Sequence, residues 1–479
     1  MNLNKVLFRR RFSVNLYRNL RLPMGEMNFH KNWADDRRGD PYPLLNRLGN
    51  LQESVGGGVY RIASLGENAF VKRLLGSFFP WNTYEIKLSE LQNASVGFFL
   101  NGEGGTLSVL LNEHGAAVRC AEAERFFQGD VKQDSTFALT FRTGGISLYL
   151  DGALLGDLSL KMMHVYRKEE IFSHATVALD VRLQAGGGST IDSVTWYLCG
   201  GISHADIKPI RYEDGTPMME NGRIFLTLTS RLEAEMYQSV ISWNPTLCDF
   251  RMEGAIFYDC GDGYWCSDVA SSILFDRPSG KWLIWMCAFS HGHVLGRGMT
   301  LNDPRFGIQV IDVKLMELAK NDERTAFLGF AGDEDPDLLY LDGKWHLAVC
   351  RSESGTGYHY YHFVSDQPLD GFTYADRTPT GEKTGGMFVK TDDGYAFVCG
   401  SDFSSRARYD VYSIDDFSDF QNLQCDYDDG GFRGWGTVML LPFGNRKKYV
   451  WITFDRHNAS SYNWSYGNLY VFDSDYIHK

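Results

Sequence analysis

Residues 341–353 read LDGKWHLAVCRSE: a polar turn ending on glycine, then a strand-like run with an aromatic anchor. The phrase recurs at 220–231 (ENGRIFLTLTSR), 278–290 (PSGKWLIWMCAFS), 392–403 (DDGYAFVCGSDF) and 443–455 (FGNRKKYVWITFD). Between the turn glycines Gly222, Gly280, Gly343, Gly394 and Gly444 the intervals are 58, 63, 51 and 50 residues. A unit of roughly 50 residues holding several strands suits a propeller blade, because one small sheet buries its faces only against its neighbours. Residues 201–479 are therefore expected to form a five-bladed β-propeller.

Periodicity of two governs nearly all of the chain, so the fold class is all-β. Only 311–324, IDVKLMELAKNDER, reads as a short helix. Residues 55–200 alternate over short segments, and GGISLYLDGALLGDLSL sets an Asp-Gly turn between two alternating runs, a strong hairpin signal. This stretch resembles the concanavalin-A-like or laminin-G-like jelly-roll sandwich, which implies a separate domain, either glycan-binding or a structural companion. Residues 1–54 are left as an N-terminal extension of unclear structure. Its opening MNLNKVLFRRRFSVNLYRNLRLPMG is basic, and Arg9 to Arg11 interrupt the apolar run, so the apolar core of a secretory signal is missing. An amphipathic helix and a misassigned start codon are both open.

At 479 residues the length is enough for two sizeable cores. A formal charge of −13 argues against nucleic acid or anionic membrane as partner, whereas a neutral carbohydrate is compatible with it. No run approaches the roughly 18 apolar residues of a membrane span. The nine cysteines include Cys287, Cys350 and Cys399 inside apolar runs and form no CxxC pair. Buried reduced thiols and a cytoplasmic location are the expectation, with a periplasmic or secreted one if the start is misassigned. Oligomeric state is not readable.

The innermost strand of each blade should precede its turn glycine. Asp206, Asp268 and Glu334 stand 16, 12 and nine residues before Gly222, Gly280 and Gly343, near the expected central cavity and on three different blades. Cleaving a glycosidic bond needs a protonated acid on the leaving oxygen and an ionised carboxylate that activates water, and a third charge nearby holds the acid's proton. The blade layout, the blade-one Asp, W-x-x-D at Trp265–Asp268 and E-x-P at Glu334–Pro336 resemble glycoside hydrolase family 43 and its propeller neighbours. The resemblance implies an inverting hydrolase of the arabinofuranosidase or xylosidase kind. Asp206 would be the base, Asp268 the carboxylate that orients and tunes the acid, and Glu334 the acid.

Departures from that pattern accompany it. RYEDGTPMME lengthens the gap after Asp206, so Asp214 or Glu213 is an alternative base. Trp435 in GFRGWGTV stands where many family members place a metal-associated histidine, so no metal ligand is assigned and a structural calcium is unsupported. Asp335 and Asp337 crowd Glu334 as ligands, supporting acids or plain turn residues. Trp265, Arg351, Arg433 and Trp435 are candidate substrate contacts, and Tyr358 and Tyr360 could stack on a sugar. His291 and His293, like His359 and His362, alternate in sequence, but metal binding needs a third placed ligand. Two other functions compete: a non-catalytic carbohydrate-binding propeller, and a retaining fructan-type hydrolase, whose W-M-N-D-P-N run this chain lacks.

Overall fold

The computed structural model describes the chain except residues 1–2, 17–19, 28, 30–41, 80, 103–104, 121–122, 143–144, 160–174, 202, 233–234, 263–267, 317, 319–322, 326–327, 380, 402–407, 426–431, 456–467 and 478–479. Two compact units emerge, Arg21–Cys199 and Met1–Leu20 with Gly200–Lys479. No helix among the described residues is long and apolar enough to cross a membrane.

The Arg21–Cys199 unit is built on two long antiparallel strands, Asn82–Gly102 and Thr176–Cys199. Both change partners midway. Asn82–Gly102 pairs at one end with Ser135–Arg142 and at the other with Gly105–Asn112. Inward residues such as Ile86, Val96, Phe98, Val109, Phe141 and Val181 are fully buried between the layers. In the hairpin of Gly145–Leu150 with Ala153–Ser159, Asp151 and Gly152 have φ of 49° and 83°. Both turn residues are thus left-handed, as the right-handed twist of a hairpin requires.

Strands of the larger unit form a ten-stranded sheet, a five-stranded sheet and two four-stranded sheets. The parallel pairing of Asp249–Asp259 with Gly307–Met316 joins two antiparallel runs within the ten-stranded one, so that five antiparallel groups of four main strands can be followed. Their first strands are Ser203–Pro209, Val269–Asp276, Phe330–Leu341, Lys383–Lys390 and Phe432–Phe443. Each first strand contacts the next, and the fifth returns to the first. That cyclic order is a β-propeller with the first strands innermost, and we read each group as one blade. All five turn glycines have positive φ, from 65° at Gly444 to 149° at Gly394, which a side chain would oppose.

The expected extension at 1–54 is divided between the units. Leu7–Asn15 is a strand, not a helix, and it completes the fifth group by pairing antiparallel with Asn468–Asp473. Phe8 is buried against the edge of Trp451, while Arg9 and Arg11 point outward to Asp475 and Asp473. The triple arginine that interrupts an apolar run is ordinary alternation on a strand. Arg21–Glu26, Leu44–Leu48 and Leu51–Gly56 belong to the other unit. The helix expected at 311–324 is also corrected. Residues 311–316 finish the strand Gly307–Met316, with Ile311 and Val313 buried and Asp312 and Lys314 exposed. Residues 317 and 319–322 of that stretch lie outside the described residues.

All five inner strands share a β-bulge. Ladder register shifts at Ala205/Lys208, Val269/Ser272, Glu334/Asp337, Thr384/Met387 and Arg433/Thr437. Within each bulge one residue is left-handed: Asp206 (53°), Ala270 (57°), Asp335 (50°), Gly385 (60°) and Gly436 (127°). Bulges re-aim side chains, and Asp tolerates this conformation better than most residues.

Just past the bulge, Asp337 ties the second, third and fourth groups to the short strand Arg211–Tyr212. Its Oδ1 accepts from the Arg211 guanidinium at 2.7 Å and from the Ser272 hydroxyl at 3.2 Å, and its Oδ2 accepts from Phe388 N–H at 2.7 Å. Arg211 also donates to the carbonyls of Phe388 and Leu338. Their side chains are 1% and 2% exposed, so removing one leaves the other charged without water. Asp337→Ala should lower unfolding free energy by about 3–5 kcal/mol, read by denaturant titration. A loss below about 1 kcal/mol would show that the hub does not hold the groups together.

Candidate functional site

The bulges put four acids at one end of the inner strands. Asp206 and Asp335 hold the same left-handed place in the repeat, Glu334 comes one residue earlier, and Asp268 precedes its bulge residue Ala270 by two. The three expected acids are therefore not at strictly equivalent positions. Asp335, open in sequence as a ligand, a supporting acid or a turn residue, is the counterpart of Asp206 in the repeat.

Asp206 is half-buried, and its Oδ2 accepts from the Thr229 hydroxyl at 2.7 Å. Asp335 is buried, its Oδ2 accepting from Gly385 N–H at 3.0 Å. Burial first, then the charges of Asp206 and Glu334, push its carboxyl up to about 7, against the pull of Lys208. Lys208 is itself buried and donates to the carbonyls of Asp335 and Pro336 at 3.2 and 2.8 Å. Glu334 lies 3.5 Å from His293 Nε2, and this neighbour, opposed by burial, holds His293 above the ordinary imidazole value. A Cβ at Gly332 would come 2.8 Å from His293 Nδ1, so glycine makes room for the imidazole. Burial and the Glu334 charge raise the Tyr358 phenol.

Asp268 is buried, and burial raises its carboxyl despite His291. Ser290 N–H donates to its Oδ1, while His291 Nδ1 and Cys260 Sγ face its Oδ2 at 3.1 and 3.8 Å. One thiol registers all four acids. Burial and then Glu334, Asp335, Asp268 and Asp206 push buried Cys287 well up.

Other candidates are placed differently. Arg351 is buried in an ion pair with Asp333 at 2.6 Å and donates to Leu318 O, so it is a structural cation and not a substrate contact. Glu213 and Asp214 lie beyond the opposite end of the first inner strand, where Arg211–Tyr212 pairs with Leu274–Phe275, roughly 20 Å along the strand from Asp268. Glu213 holds Arg277; against burial, Lys390 and Thr216 together hold Asp214 at about 2, which removes both as alternative bases. Tyr360 is buried, its hydroxyl accepting from Gly386 N–H. His359 bonds to Thr378 O, and His362 to Asp376 and His346, so neither is placed for substrate. Trp265 lies outside the described residues. Arg433 and Trp435 are on the fifth inner strand, with side chains outside the described set. The indole of Trp435 is a donor without a lone pair to give, so it does not fit the calcium position implied by the resemblance.

The reading from sequence did not assign Lys208, Thr229, Cys260 or the separate partners of His291 and His293. The signal for Lys208 was its place two residues after Asp206; the others required the fold.

No protein-family model matches the chain, and no curated protein does. Among solved structures it is similar to a family 117 glycoside hydrolase of the marine bacterium Zobellia galactanivorans, with TM-score 0.40, 15% identity, 58% of this chain and 85% of that one. It is similar also to a family 43 β-1,3-galactosidase with galactodeoxynojirimycin (0.36, 12%, 55% and 93%). A third is the α-L-arabinofuranosidase of Podospora anserina in complex with cellotriose (0.35, 11%, 56% and 92%).

Asp335 carries a stability prediction. Its folded value of about 7 exceeds the ordinary 3.8, so the fold prefers it neutral. The native state keeps its full stability below about pH 4 and loses a share as pH rises through 7. Asp335→Asn keeps the Gly385 bond and tolerates φ of 50°. Urea titrations should find the variant close to wild type at pH 4 and more stable by a few kcal/mol at pH 8. An equal difference at both pH values would contradict a desolvated carboxyl.

Proposed function

We propose that the Gly200–Lys479 propeller is a glycoside hydrolase acting by single displacement on a neutral oligosaccharide or polysaccharide. Asp206 is the base, Glu334 the acid, and Asp335 and Asp268 are the carboxyls that hold charge and protons around them. The observation that carries this reading is the acid set around Asp335, which keeps a proton to about pH 7 beside the half-buried carboxylate Asp206. An acid and a base coexisting at neutral pH is what glycosidic cleavage requires.

The residues divide the work. Thr229 fixes one oxygen of Asp206, which orients the carboxylate to take a proton from water. Water then attacks the anomeric carbon, the bond to the leaving oxygen breaks, and Glu334 supplies the proton that leaving oxygen needs. Since like charges disfavour a further ionisation, the charges of Asp206 and Glu334 add to burial in keeping a proton on Asp335, next in sequence to the acid Glu334. His293 beside Glu334 is placed to exchange the acid's proton with solvent between turnovers. The furanose or xylose preference rests on the family resemblance alone.

Leaving-group dependence separates the two roles. Glu334→Gln should lose about 10²–10⁴-fold on a natural oligosaccharide and far less on an activated aryl glycoside, whose leaving group needs no proton. Asp206→Asn should fail on both, because water activation is required whatever leaves. Steady-state kinetics with a thermal-melt control of folding reads this out. Equal losses on both substrates for Glu334→Gln would remove it as acid; glycan binding without turnover in the wild type would favour a carbohydrate-binding propeller.

A further inference from the structure

A second constellation lies beside the carboxyl set. Cys260 directly follows the strand Asp249–Asp259, Asp268 directly precedes the second inner strand, and His291 ends the short 3-10 turn Phe289–His291. One ligand atom from each comes together within 4.8 Å of the others. Asp268 Oδ2 is the common vertex, 3.1 Å from His291 Nδ1 and 3.8 Å from Cys260 Sγ. Zinc bonds of about 2.0–2.3 Å at tetrahedral angles set N, O and S ligands roughly 3.3–3.7 Å apart; the two distances from Asp268 Oδ2, 3.1 and 3.8 Å, fall on either side of that range.

The hydrogen bonds around the cluster point to the same ion. His291 Nε2 lies 2.9 Å from Asp262 Oδ2, so Nε2 donates there, and in the neutral ring the Nδ1 lone pair then faces Asp268. Without an ion, burial is outweighed by the two carboxylates, which raise His291 and favour a second proton at Nδ1. Nδ1 is buried, and the group it faces is the Asp268 carboxylate at 3.1 Å. A lone pair and a carboxylate oxygen at 3.1 Å repel unless a proton or a cation sits between them. Ser290 N–H meanwhile occupies Asp268 Oδ1 and turns Oδ2 toward the sulfur and nitrogen. A carboxylate that fixes the far nitrogen of a histidine, and so its tautomer, is the usual support behind a metal-bound imidazole.

We propose that Cys260, Asp268 and His291 bind a divalent transition ion of the zinc class, with Asp262 as the residue that positions His291. One thiolate, one imidazole and one carboxylate make a borderline donor set, which suits zinc or cobalt and not calcium or magnesium. Three protein ligands leave a coordination position for water or a ligand oxygen. The ion displaces the protons these groups otherwise hold, so its affinity falls as pH falls. Sharing Asp268 places the ion next to the carboxyl set. The proposal does not rest on the hydrolase reading, since it needs no substrate.

Cobalt is the probe. Full-length protein, reduced and stripped with chelator, is titrated with Co²⁺ and followed by the thiolate-to-cobalt charge-transfer band and the visible d–d bands of a tetrahedral site. Wild type should take up about one equivalent with both features, and Zn²⁺ should displace the cobalt and raise the melting temperature. Cys260→Ser should weaken cobalt binding at least tenfold and diminish the charge-transfer band. Asp262→Asn should weaken it by about 10–100-fold with the band position unchanged. Circular dichroism and the metal-free melting temperature establish that each variant is folded; if Cys260→Ser is not, His291→Asn takes its place, with the same loss of affinity expected. Absence of the band in reduced wild type overturns the proposal. So does a band whose intensity and affinity survive Cys260→Ser, which would mark binding at another thiol such as exposed Cys248. A cobalt spectrum in a protein that hydrolyses no glycoside would keep the metal site and discard the hydrolase.

Discussion

The carboxylate of Asp337 is the constraint on which the propeller depends. A buried charge is tolerable only when paired and hydrogen-bonded, and here Asp337, on the third inner strand, takes partners from Ser272 on the second, Phe388 on the fourth, and Arg211 on the short strand paired beside the second. None of these partners satisfies the charge alone, so the inner strands must converge in one register. The bulges lie within a few residues of this hub, which sets them in a ring at one end of the strands. Asp206 and Asp335 are left-handed there because the repeat calls for a left-handed residue, and aspartate fills it without glycine.

Fold stability and site chemistry draw on the same acidic segment. In GDEDPD, Asp333 pairs with Arg351, Glu334 faces His293, Asp335 is buried among acids, and Asp337 anchors the hub. Two of the four are satisfied structural ions. The other two sit where negative charge is already dense, and for Asp335 burial favours a retained proton over ionisation. A position that costs stability at neutral pH and sits beside a half-buried carboxylate has the character of a site. Asp268 solves the same excess of charge differently, through a histidine and a thiol, and those are the ligand types that accept a metal in place of protons.

The repeat of turn glycine and aromatic strand was legible because each inner hairpin is local and its turn demands positive φ. The propeller and the candidates Asp206, Asp268 and Glu334 follow from that spacing. What could not be read is long-range. The closing strand Leu7–Asn15 pairs with residues more than 450 positions away, and its arginines hid the alternation. Arg351 looked like a substrate contact because nothing local announces that Asp333 and Phe330 enclose it. The equivalence of Asp335 and Asp206 is hidden because a bulge shifts strand register by an amount that sequence spacing does not record. His291 and His293 alternate in sequence yet serve different acids, since the 3-10 turn and the left-handed His293 separate them.

Among the acids on the bulges, Asp335 is the one whose burial and neighbours hold a proton to about pH 7. A ¹³C NMR titration of protein labelled at the aspartate side-chain carboxyls, compared with Asp335→Asn, tests this. One carboxyl resonance in wild type should titrate near pH 7 and be absent from the variant, with Asp206→Asn moving that midpoint to lower pH by removing a like charge. Titration of every labelled carboxyl below about pH 5, near the ordinary range, would contradict it.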